Sequence, residues 1–111
     1  MAFNNITPVK IAQVALTTAF ASVYTVPTST RTFVKDIVIC NTTAGALTAT
    51  VCLVPSDGSA GTANAIFYGY TVAANATFSW SGVQIMYHND TIQVKASATG
   101  VTITISGGEA V

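Results

Sequence analysis

The side chains best suited to acid–base, nucleophilic or metal chemistry are few: His88, Cys40, Cys52, Asp36, Asp57, Asp90 and Glu109. A zinc centre draws three or four ligands from this set at short spacings, and one histidine with two distant cysteines does not supply such a pattern. Glycoside hydrolysis needs a pair of carboxylates; no two acids are close in sequence, so only the fold can bring two together. There is no G-x-S-x-G elbow to present a nucleophilic serine. His88 stands beside Asn89 and Asp90 in a polar turn, where a histidine is ordinarily solvated. No cofactor and no metal are expected, and the chain reads as a non-enzyme.

One loop invites a sharper reading. The stretch Val54-Pro55-Ser56-Asp57-Gly58-Ser59-Ala60-Gly61-Thr62-Ala63-Asn64-Ala65 holds two glycines, an acid and three hydroxyls. A phosphate cradle of the P-loop kind requires a lysine after its second glycine and a helix behind it. This loop has no lysine or arginine, and it leads into the strand-like Ile66-Phe67-Tyr68. A calcium loop places acids at alternate positions, and only Asp57 is present. The stretch therefore reads as a connection, opened by a Pro55-Ser56-Asp57-Gly58 turn in which proline presets φ and glycine supplies positive φ.

The elements that must position these residues are strands. Val101, Ile103 and Ile105 alternate with Thr102, Thr104 and Ser106, and Ile92, Val94 and Ala96 alternate with Gln93, Lys95 and Ser97. This period of two marks half-buried strands. Strands are predicted over residues 9–16, 22–26, 32–41, 47–53, 65–72, 77–80, 83–87, 92–96 and 101–105. Residues 32–41 are more continuously apolar, which suits a central strand. Turn residues separate the runs, among them Pro27-Thr28-Ser29, His88-Asn89-Asp90 and Thr99-Gly100. Eight or nine short strands without a helix of period 3.6 predict an all-β, single-domain antiparallel sandwich of jelly-roll type. Residues 1–8 read as an N-terminal arm and residues 9–111 as the sandwich. Cys40 and Cys52 flank a connection read as a hairpin turning near Thr43-Ala44-Gly45. The partner of Cys40 then falls near position 48, which leaves two free thiols that cannot bridge.

Composition narrows the function. Of 111 residues, 50% are hydrophobic and 7% charged, with four basic and four acidic groups. No basic face is available for nucleic acid, and no apolar run reaches the ~20 residues of a membrane helix. So little charge gives poor protection against association, which favours a subunit that hides surface in an oligomer. Lys10, the run 11–18 and Ala19-Phe20-Ala21 imitate a signal peptide, but Gln13 and the threonines break the apolar region. Asn5, Asn41, Asn75 and Asn89 open N-x-S/T triplets, which arise easily in a threonine-rich chain.

Two groups of residues are candidate contacts. Phe67, Tyr68, Tyr70, Phe78, Trp80 and Tyr87 are concentrated in the middle of the chain. Alternation places Tyr68 and Tyr70 on one face with Phe67 on the other, and Phe78 with Trp80 on a shared face. Core packing, an interface anchor and a sugar platform with Asn75, Gln84 or Asn89 beside it all remain open for them. The second group is the N-terminal stretch, whose apolar anchors Phe3 and Ile6 suit an arm lying on a neighbour; the end Glu109-Ala110-Val111 reads as pinned.

The runs Thr25-Val26-Pro27, 34–43 (VKDIVICNTT), 53–66 (LVPSDGSAGTANAI), 90–97 (DTIQVKAS) and 101–107 (VTITISG) resemble small virion structural proteins of tailed bacteriophages. The resemblance covers most of the chain and carries no catalytic motif. It implies a capsid decoration (cement) protein made in the host cytoplasm and seated on the virion surface where subunits of the major capsid protein meet, a trimer stabilising the mature head. Phe3 and Ile6 would then contact the capsid, and exposed members of Phe67, Tyr68, Tyr70 and Trp80 would form the subunit interface. A neck, tail or fibre component that adapts to other proteins or binds a host glycan is the alternative within the virion; a non-viral carbohydrate-binding module is the alternative outside it.

Overall fold

A computed structural model describes residues 5–111. Eight strands follow one another: β1 (Ile6–Ala15), β2 (Ala21–Thr25), β3 (Arg31–Asn41), β4 (Leu47–Val54), β5 (Ala65–Val72), β6 (Thr77–Met86), β7 (Thr91–Ala96) and β8 (Val101–Ala110). A 3-10 turn, Thr62–Asn64, precedes β5. The strands form two four-stranded sheets in the orders β1-β8-β3-β6 and β2-β7-β4-β5. Every pairing is antiparallel. Only β4 and β5 are consecutive in sequence and paired; every other connection crosses between the sheets. This is the jelly-roll order, and it meets the sequence expectation.

The alternating runs behave as read. Ile37 and Ile39 of β3, Val51 of β4, Ile92 and Val94 of β7, and Ile103 and Ile105 of β8 are all buried between the sheets. Each such side chain contributes roughly 1.5–3 kcal/mol by leaving water. Strand β3 is central in its sheet, between β8 and β6. Its unbroken apolar run has a specific cause. Thr32 and Val34 face inward before Lys35, and Ile37, Ile39 and Asn41 face inward after it. The register slips between Val34 and Asp36, so a bulge joins two alternations that are out of phase. Opposite Lys35, β6 holds two residues, Gly82 and Val83. The strand runs through that bulge, so one strand, Thr77–Met86, stands where two were expected over 77–80 and 83–87.

Three further expectations change. The connection after β3 is not a hairpin: Cys40 lies in one sheet and Cys52 in the other. Both cysteines are free, Cys40 half-buried and Cys52 buried, and burial pushes the Cys52 thiol up in pKa. Residues 6–8, assigned to the arm, lie in β1, with Ile6 opposite Ala110 and Pro8 opposite Gly108. In the Pro55 turn, Gly58 N donates to the Pro55 carbonyl at 2.9 Å, but the residue with positive φ is Asp57 at 64°. Proline thus stands first in that turn, and an aspartate, which tolerates this conformation, takes the left-handed position.

The polar residues fasten the ends. Asp90 accepts from Ser56 N and Tyr87 N, both at 3.0 Å, and so joins two loops. Asn75 and Asn89 take positive φ in turns. Tyr24 on β2 donates to the Glu109 carboxylate on β8, and the Thr32 hydroxyl donates to Tyr24 at 2.7 Å. This network bridges the two sheets. Burial, aided by the hydrogen bond to Glu109, pushes the Tyr24 phenol from near 10 up to about 12. A folded pKa above the unfolded one means that the folded state holds the proton more tightly. The stabilisation is complete below pH 10 and falls away as pH rises from about 10 through 12. Tyr24→Phe should therefore flatten the alkaline decline of Tm across that window; an unchanged decline in thermal melts would refute this role.

Candidate interaction surfaces

Among the described residues, no three of His, Cys, Asp and Glu lie close enough to hold a metal ion. Asp90 and Glu109 are engaged in the structural bonds above. Asn41 is fully buried, and its amide nitrogen donates to two carbonyls, so that triplet cannot carry a glycan in the folded chain.

The aromatic group divides in two. Between Val51–Phe67 and Ala49–Tyr70 the register slips, so that Thr50 alone opposes Tyr68 and Gly69. Gly69 adopts φ of 63° there, open to glycine at no steric cost, and its N–H donates to the Thr50 hydroxyl at 2.9 Å. This bulge reverses the expected faces. Phe67 and Tyr70 now lie together, with ring centroids 6.2 Å apart, and Phe78 of β6 meets them at 5.3 and 4.3 Å. The rings tie β5, the edge of one sheet, to β6, the edge of the other. Phe67, Phe78 and Trp80 pack against the core, which is their structural role. Tyr68 stands apart at 64% exposure. It lines a polar depression with Thr18, Thr48, Thr50 and Lys95. The shared inner face of Phe78 and Trp80 is as expected.

A second surface was not legible beforehand. On the outer face of the β1-β8-β3-β6 sheet, Pro8, Gly108, Phe33 and Ile85 lie side by side on the four strands. Gly108 has no side chain, so the row dips at its centre. The result is a groove of about 310 Å³ lined by Ile6, Pro8, Phe33, Lys35, Val83, Gly107 and Gly108. Ile6, Val83 and Ile85 are 61%, 51% and 54% exposed. Elsewhere this outer face carries many hydroxyls (Thr77, Ser79, Ser81, Thr102, Thr104), with Val38 and Cys40 half-buried among them on β3. The well-exposed apolar side chains Ile6, Val83 and Ile85 are gathered at one end of the sheet, a pattern that marks contact sites. Ile6 belongs to this surface; Phe3 lies outside the described residues. The sequence signal for the groove was the Gly107-Gly108 pair in a strand, since glycine within a strand marks close backbone approach.

Similar folds occur in solved structures. One is from Bacillus endospore appendages, which form a family of disulfide-linked pili: 14% identity over 95% of this chain and 87% of that one, TM-score 0.61. Others are the T13 viral particle of infectious bursal disease virus (11% identity, TM-score 0.52) and the Gx strain of that virus (14%, TM-score 0.51). Each covers 96% of this chain, which spans 30% and 32% of the viral chains. No protein-family model and no curated protein matches the sequence. At such identities the likeness concerns the fold: all-β, two antiparallel sheets, jelly roll.

Proposed function

We propose that this chain is a structural subunit that works through repeated protein contacts in an assembly of many copies. The supporting observation is the apolar groove and its exposed rim (Ile6, Val83, Ile85) on a chain with only eight charged side chains. Such a surface is costly to leave in water and favourable to cover. The spore-appendage and viral likenesses support the reading, because chains of this fold build extended particles and fibres in those cases.

Within that class we favour a virion protein, a trimeric decoration protein on a phage head that contacts the major capsid protein. It would carry no cofactor and catalyse no reaction. Contacts made only with the mature shell would stabilise that shell by mass action, and repetition around a symmetry axis would add avidity. A filament subunit is the second reading, favoured by the appendage structure, which this chain matches over most of both lengths. Quantitative mass spectrometry of purified particles separates them. Copies equal to the major capsid protein, or a simple fraction of it, are expected for decoration. A handful per particle would move the chain to the neck, tail or fibres, and absence from virions would discard the phage reading.

A further inference from the structure

We propose that the groove over Gly108 receives residues 1–4 of a second copy of this chain, with Phe3 as the seated side chain; this rests on the reading of the chain as an assembly subunit. The groove's chemistry selects the occupant. Apart from Lys35 its lining offers no polar side chain, so an apolar ligand without buried hydrogen-bonding groups fits it. At about 310 Å³ it is at the small end of ligand cavities, the scale of one or two large side chains. Met1-Ala2-Phe3-Asn4 supplies them without a charged side chain. In extended form Met1 and Phe3 project to the same side, matching a one-sided groove.

Geometry directs the segment to a neighbour. Val111 N donates to the Asn5 carbonyl at 3.1 Å, so the β1–β8 ladder continues through residue 5. Residue 5 stands at the described end of that ladder, and the groove lies on the other side of it, beside residues 6–8. A segment that keeps the direction of the ladder leads away from its own groove and can enter a neighbour's.

Sedimentation velocity on Phe3→Ser, on Val83→Glu and on their mixture tests this. Val83 is 51% exposed on an edge strand, so its substitution leaves the core intact, which circular dichroism verifies. Each variant alone should associate about tenfold more weakly or worse, as expected for losing an interface anchor. Mixing them should restore part of the association, because one retains the groove and the other the segment. Wild-type association in both variants would overturn the groove contact while leaving the assembly reading standing. Loss in Phe3→Ser alone would seat the segment elsewhere and overturn it too. Unchanged association with lower urea stability in both would place the segment in its own groove, again overturning the proposal. A wild-type chain that stays monomeric would overturn the assembly reading first.

Discussion

Gly107→Ala should cost about 3 kcal/mol, at the upper end of overpacking effects. A methyl group at Gly107 would sit 1.8 Å from the Phe33 carbonyl oxygen and 3.0 Å from Ile11 Cδ1. The first is a backbone atom, so no side chain can swing aside. Strand β8 pairs with β1 on one edge and β3 on the other over nearly its whole length. Moving it to relieve the collision disturbs both ladders. Gly108→Ala is the matched control. Its methyl would meet Ile6 Cγ2 at 3.0 Å and the Thr7 carbonyl at 3.5 Å, and Ile6 is exposed and able to move. That variant should lose no more than about 1 kcal/mol, a surface-scale effect. Urea midpoints at a constant m-value measure both. Equal losses would show that the close approach at Phe33 is not what demands glycine.

Asn41→Asp is nearly isosteric and should cost about 3 kcal/mol at neutral pH, through donors lost in a buried place. The Asn41 amide nitrogen donates to the Gly45 and Val72 carbonyls at 2.9 and 3.0 Å. Its oxygen accepts from Thr43 N at 2.9 Å and from the Thr43 hydroxyl at 2.7 Å. Residue 41 thus ties the end of β3 to its crossover and to the end of β5 in the other sheet. A carboxylate keeps the accepting side but turns a second acceptor toward two carbonyls. Burial and those carbonyls raise its folded pKa above the unfolded value. The penalty is therefore smallest in acid, where the carboxyl carries a proton, and grows as pH rises. Denaturation of both proteins at pH values on either side of the carboxyl range gives the comparison; a pH-independent penalty would refute the bonding scheme.

The sequence made the strands legible, because polar and apolar, mostly β-branched, residues alternated over 92–96 and 101–105 with no competing helical period. It also made the jelly-roll class legible. What it concealed was which way side chains face. Bulges at Lys35 and at Tyr68–Gly69 each insert a residue and reverse the alternation beyond it. Tyr70 consequently joins Phe67 rather than Tyr68, and β6 passes through the irregularity at Gly82–Val83 as one strand, Thr77–Met86. Such slips are set by tertiary pairing, which local composition does not report. The same limit hid the groove. Ile6 was legible as an apolar anchor, but Pro8, Phe33, Val83 and Gly108 come from four strands far apart in sequence. The hairpin expected after Cys40 failed because its turn residues suit a sheet-to-sheet crossover as well as a tight return.

The claim that joins these observations is that the folded chain acts by associating with copies of itself through the outer face of the β1-β8-β3-β6 sheet. Sedimentation velocity of the purified wild-type chain across the micromolar range tests it most directly. A closed oligomer, a trimer in the favoured reading, or larger particles should form, with a sedimentation coefficient that rises with concentration. A single monomeric species throughout that range, folded by circular dichroism, would contradict it.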